Sequence, residues 1–125
     1  MREAALFVGW GSPFPGREHF ALDGYHRWIE ILEGLKEKGE IEDFETVVLG
    51  PNGGELRGFT LVYGETPKLA EITEREEMRR LRTMAGYEFP FFTITPALVG
   101  AKAEEELKFA EEEILPIFEQ TPVPA

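Results

Sequence analysis

Four titratable side chains recur at helical spacing near the start of the chain: His19, Asp23, His26 and Glu30. Two imidazoles and carboxylates are, by type, a metal-binding set. The helical wheel works against that chemistry. The stripe lies opposite Ala21, Trp28, Leu32 and Leu35 and continues as Glu33 and Glu37, so it reads as the solvated face of an amphipathic helix. Such a surface has no enclosing shell to orient ligands, and no bound metal is expected. Arg17 is different. On the same wheel it falls with Gly24 and Leu35 on the inward side, in the first turn, where the helix dipole disfavours a cation. It calls for a carboxylate partner (Glu18, Glu45 or Glu88) or for an anionic ligand.

Arg17 follows the turn "GWGSPFPG" (residues 9–16). This turn lacks the GxGxxG spacing and the lysine of a phosphate-binding loop. No nucleophile elbow and no Ser-His-Asp order is present. The chain has no Cys, which excludes disulfides, thiolate zinc sites and a cysteine nucleophile. No cofactor is implied. What remains is a turn with exposed amides beside Trp10, Ser12 and Arg17.

The elements that must position these residues follow from hydrophobic pattern and turn signals. "AALFVGW" (residues 4–10) is an apolar run rich in strand formers and reads as a central strand buried on both faces. Residues 17–38 read as a helix ended by Gly39. "DFETVVLG" (43–50) and "LRGFTLVYG" (56–64) read as strands joined by "PNGG", a hairpin turn in which Asn-Gly accepts positive φ. Thr66 and Pro67 begin a helix that breaks, restarts at a capping box from Thr73 to Glu76, and closes at Gly86. "FPFFTITP" (89–96) is a strand whose prolines place it at a sheet edge. A last helix covers 101–119, disturbed by Pro116, before a frayed "TPVPA".

The order βαββαβ plus a C-terminal helix predicts an α+β, ferredoxin-like fold with an antiparallel four-stranded sheet. Strands one and three are expected in the centre and two and four at the edges. At 125 residues the chain is expected to form a single domain, residues 1–125. The two crossover helices cover one sheet face, yet both faces of the central strands are apolar. Leu6, Val8 and Trp10 point one way, and Ala5 and Phe7 the other; Phe59, Leu61 and Tyr63 oppose Thr60 and Val62. A bare face of that size exceeds what monomers expose. A second subunit is expected to cover it, giving a homodimeric α/β barrel; the alternative is that the last helix folds across.

The runs "GWGSPFPGRE", "GEIEDFETVVLGPNGGELRGFTLVYG" and "REEMRRLRTMAGYEF" resemble small uncharacterised bacterial proteins of the dimeric α/β-barrel superfamily, over about residues 7–100. That superfamily includes cofactor-free monooxygenases, lactone isomerases, haem-degrading enzymes and proteins with no known activity. The fold by itself carries no chemistry.

The net charge of −11 argues against nucleic acid and anionic membrane surfaces as partners. No apolar run reaches the roughly 20 residues of a membrane span. "MREAALFVGWG" lacks a cleavage pattern, so a cytoplasmic protein is expected. With strands one and three taken as parallel, Trp10, Tyr63 and Tyr87 share one end of the sheet with the first turns of both crossover helices. The candidate ligand-binding residues are therefore Trp10, Ser12, Arg17, Tyr63 and Tyr87, facing a small anionic or aromatic molecule. Two functions fit: a small-molecule-binding protein or cofactor-independent monooxygenase or isomerase, and a non-catalytic dimeric regulatory or structural module with a filled core. A cavity above about 300 Å³ at the Trp10 end, lined by Arg17 and the aromatics, separates them.

Overall fold

The structure, a computed structural model, describes residues 2–119. Strand β1 (Ala4–Trp10) leads to helix α1 (Glu18–Glu37), followed by β2 (Asp43–Val48) and β3 (Gly58–Tyr63). Helices α2 (Thr66–Thr73) and α3 (Glu76–Glu88) then lead to β4 (Phe92–Leu98). The sheet order is β2-β3-β1-β4, with every neighbouring pair antiparallel. This is the α+β ferredoxin-like arrangement, with the apolar β1 in the centre and the proline-bearing β4 at an edge.

One expectation is overturned, and the site depends on it. β1 and β3 are antiparallel, pairing Ala5 with Tyr63 and Trp10 with Gly58. The β2–β3 hairpin reverses the chain, so β3 must oppose a β1 that runs with β2. The end of β1 therefore meets the start of β3, and Tyr63 lies at the far end of the sheet. There it is buried beneath the Arg2 guanidinium, 4.2 Å from the ring centroid. The same reversal puts the first turn of α2 at that far end. At the Trp10 end the first turn of α1 meets the last residues of α3, where the Phe14 amide donates to the Glu88 carbonyl at 2.8 Å.

Local chemistry explains most element ends. Lys36, Lys38, Gly39 and Glu40 close α1. Gly39, at φ +73°, gives its amide to the Lys36 carbonyl, and the Glu40 amide reaches the Leu35 carbonyl at 2.9 Å. That is the left-handed glycine cap expected of this residue. The "PNGG" segment departs from expectation. Neither Asn52 nor Gly53 has positive φ. Asn52 organises a longer loop instead, accepting from the Gly54 amide at 2.8 Å and donating to the Gly50 carbonyl at 3.0 Å. The break between α2 and α3 is present, but Thr73 does not cap α3; its hydroxyl donates to the Leu69 carbonyl at 2.8 Å. Gly86 does not end α3, which runs on to Glu88.

The core lies between the helices and one sheet face. Leu6, Val8 and Val62 meet Trp28, Leu32 and Leu35 of α1 and Leu69, Ile72 and Met78 of α2 and α3. Alternation along the strands leaves Ala5, Phe7, Phe59, Leu61 and Val47 on the opposite face, where the Phe7 and Phe59 rings stack at 5.2 Å. Phe7, Phe59 and Leu61 are only half-buried. The last helix does not cover them. Helix α4 (Gly100–Phe109), a π-helical turn (Ala110–Ile114) and α5 (Leu115–Glu119) contain no buried residue, and Leu107, Ile117 and Phe118 are exposed. The π turn sits one turn ahead of Pro116, whose ring would clash with the carbonyl of Glu112 in α-helical register; widening the turn relieves it. The "TPVPA" segment lies outside the described residues.

A cluster of charges fixes the junction of α1, α2 and α3. Arg75 donates to both Glu40 oxygens, at 3.0 and 2.8 Å, and to Glu71 at 2.9 Å, while Lys68 stands 3.4 Å from Glu40. The Arg75 hydrogen bonds hold the Glu40 carboxyl at about 2, below its ordinary 4.5. A carboxylate depressed on folding stabilises above its unfolded value and loses that contribution as pH falls through the folded one. Melting temperature is therefore expected to decline between pH 4.5 and 2, and Arg75→Ala should flatten the decline in that window. Equal slopes for both proteins, followed by circular dichroism, would remove Glu40 as its source.

Candidate functional site

A pocket of about 670 Å³ opens at the Trp10 end, between the helices and the sheet. Its construction follows from three periodicities. Helix α1 supplies Glu18, Ala21, Leu22, Tyr25 and Trp28, and α3 supplies Met78, Leu81, Arg82, Ala85 and Glu88, each a single stripe at three- and four-residue spacing. The sheet supplies Val8, Trp10, Phe92 and Ile94, the helix-facing alternates of β1 and β4. Gly11, Ser12 and Pro13 form one rim, and Val48, Leu49 and Arg57 another.

The aromatic walls are held in place. The Trp10 indole lies across Gly58, where a Cβ would stand 2.9 Å from Cζ2, so only glycine lets this ring lie down on the sheet. Tyr25 packs against Trp10 edge to face at 6.0 Å. Trp28 Nε1 donates to the Thr60 hydroxyl at 3.4 Å, which is itself 3.0 Å from the Thr46 hydroxyl. Both tryptophans of the chain thus line the pocket.

The polar group deepest in this wall is Glu88, 7% exposed. Its Oε2 is, among the described residues, the one buried side-chain polar atom without a hydrogen-bond partner. Burial pushes the Glu88 carboxyl up, and the Arg27 and Arg17 charges pull against that rise. The carboxylate faces α1 at Gly24, where a Cβ would meet Oε1 at 3.3 Å and Oε2 at 3.4 Å. A glycine in mid-helix costs about 1 kcal/mol relative to alanine. Here it makes room for a carboxyl group.

Of the residues expected from sequence, Trp10 and Ser12 line the pocket, and Arg17, Tyr63 and Tyr87 do not. Arg17 is exposed and donates Nη1 to the Tyr87 carbonyl at 2.9 Å, tying the start of α1 to the end of α3. It makes no ion pair with Glu18, Glu45 or Glu88. The Tyr87 side chain is 71% exposed. Tyr63 is removed by the antiparallel pairing of β1 and β3. The pairing also removes the second helix N-terminus, and with it the basis for an anion at this end. His19 and Asp23 approach to 3.6 Å on the outer face of α1, where their side chains are 85% and 62% exposed.

Glu88 is the residue that sequence reasoning placed only as a partner for Arg17. Its signal was position: a carboxylate set between Tyr87 and Phe89, ten residues after Met78 on one helical stripe. The expected helix end at Gly86 hid that stripe.

No protein-family model matches the chain, and no curated protein matches it. Solved structures do. It is similar to a protein of unknown function from Nitrosomonas europaea, with TM-score 0.59 and 16% identity over 81% of this chain and 92% of that one. It is similar to an ethyl tert-butyl ether D (EthD) family protein from Bacillus halodurans, with TM-score 0.53 and 12% identity over 76% and 96%. A dimeric protein of unknown function and ferredoxin-like fold from Bacteroides fragilis matches with TM-score 0.53 and 9% identity over 77% and 96%. At these identities the likeness is one of fold. No helix among the described residues is long and apolar enough to cross a membrane.

Proposed function

We propose that the protein is a cytoplasmic, homodimeric small-molecule-binding protein whose ligand occupies the pocket between α1, α3 and the sheet. One observation carries this reading: a 670 Å³, largely apolar cavity lined by Glu88, whose carboxylate has a buried oxygen with no partner. Ligand sites have this make-up, apolar walls around a few convergent polar groups, within roughly 300–1,000 Å³. A filled-core module would have neither the space nor the orphan oxygen. The dimer is supported by the apolar face carrying Phe7, Phe59 and Leu61, which the C-terminal helix leaves bare, and by the dimeric assembly described for the Bacteroides fragilis protein. Any catalysis in the pocket would draw on Glu88 for proton transfer, since a carboxyl raised by burial is suited to that task.

N-phenyl-1-naphthylamine, a neutral apolar fluorophore, tests the pocket. It is expected to bind with saturable enhancement at one equivalent per chain. Ala21→Phe should weaken that binding at least tenfold, because Ala21 lines the pocket, and should cost about 1–3 kcal/mol of stability, because the residue is 6% exposed. Wild type showing only linear, unsaturable enhancement would sink the reading.

A further inference from the structure

Burial and helix position both disfavour a carboxylate at Glu88. It is 7% exposed, its neighbours along the pocket wall include Ala85 and Phe89, and it occupies the last position of α3, where the helix dipole repels negative charge. Nothing within the described residues compensates at bonding distance. Oε2 has no hydrogen bond, and Arg17 and Arg27 act on the group only through their charge. Gly24 adds a further cost to α1 to make room for the same group. A fold that breaks several local rules at one side chain marks a place where an outside molecule completes the bonding.

Resting on the pocket reading above, we infer that the ligand is a neutral, mostly apolar ring compound carrying a hydroxyl or N–H donor, and that this donor bonds the carboxylate of Glu88. An orphan carboxylate oxygen lacks a donor, and a charge-assisted O–H···O or N–H···O bond is the strongest neutral answer to it. An anion is disfavoured because it would bring a second negative charge beside an unpaired carboxylate, in a chain of net charge −11. A cation is not called for. Arg17 and Arg27 already offset the Glu88 charge, and Arg57 and Arg82 border the same pocket. The indoles of Trp10 and Trp28 and the rings of Tyr25 and Phe92 offer faces to a ring compound.

The test uses three probes on one skeleton: 4-cyclohexylphenol, its methyl ether and 4-cyclohexylbenzoate. Titration calorimetry on the full chain at neutral pH measures each. Wild type is expected to bind the phenol at least tenfold more tightly than the ether or the carboxylate. Glu88→Leu should retain the ether and bind phenol and ether within about twofold of each other. Glu88→Gln, nearly isosteric, should reduce the phenol's advantage in the same direction. Both variants are expected to melt at or above wild type, because a buried unpaired charge has gone. Wild type binding phenol and ether equally overturns the inference and leaves the pocket standing. So does a phenol preference that survives Glu88→Leu, which would assign the acceptor elsewhere. A carboxylate that binds best overturns it in favour of the bordering arginines. Binding of none of the three overturns the pocket itself.

Discussion

Phe7→Glu is expected to break the proposed dimer into monomers. Phe7 lies in the centre of the open sheet face, opposite Leu61 on β3 and Thr95 on β4, with its ring stacked on Phe59. A two-fold dimer places each residue in the interface twice, so one substitution makes two changes. Each removes a buried aromatic contact, a loss of about 2 kcal/mol where such a residue anchors an interface, and each also sets a carboxylate against apolar surface. Together they should weaken association about a thousandfold or more. Sedimentation velocity at micromolar concentration would show the mass halve, with the far-ultraviolet spectrum unchanged. A variant that stays dimeric would place the interface elsewhere. A monomeric wild type would end the barrel reading altogether, because the C-terminal helix does not take the partner's place on this face.

Leu32→Ala should produce the largest loss of folding stability of any single leucine truncation in α1. Leu32 is 1% exposed and belongs to the same cluster as Leu6, Trp28 and Val62. Removing a leucine side chain from such a site costs its transfer free energy plus the cavity left behind, about 3–4 kcal/mol. For a chain of this size the melting temperature should fall by roughly 10–15 °C. Calorimetry measures it directly. A loss under about 1 kcal/mol would mean that the core is not consolidated around α1, and that the pocket's helical wall is looser than the packing indicates.

The fold was legible where the chain repeats a period or stops one. The unbroken apolar run of residues 4–10, the left-handed cap at Gly39 and the prolines of the last strand each have one physical meaning, and β1, α1 and the edge position of β4 follow from them. Strand direction was not legible from composition. It depends on counting reversals through the β2–β3 hairpin, and misjudging that count sent Tyr63 to the wrong end of the sheet. Gly86 misled for a different reason. A glycine late in a helix costs about 1 kcal/mol, and α3 meets that cost because the Phe14 amide holds the carbonyl of Glu88 and Arg17 holds that of Tyr87. These tertiary bonds have no local signature. Of the five residues expected from sequence, Trp10 and Ser12 line the pocket, and the buried carboxylate was not expected there, because burial of a glutamate is decided by what folds over it.

The alternation of the strands has a consequence for how such a protein can change over generations. Along β1, Leu6, Val8 and Trp10 answer to the helices and the pocket, while Ala5, Phe7 and Gly9 answer to the opposite face. Ladders to β3 and β4 lock both edges of β1, so a slip by one residue, which would exchange the two sets, is closed off. Two sequences are therefore interleaved on one backbone. Mutations at even positions can reshape the pocket while the odd positions keep the opposite face unchanged, and the reverse is equally open. A lineage can diversify one property without first risking the other.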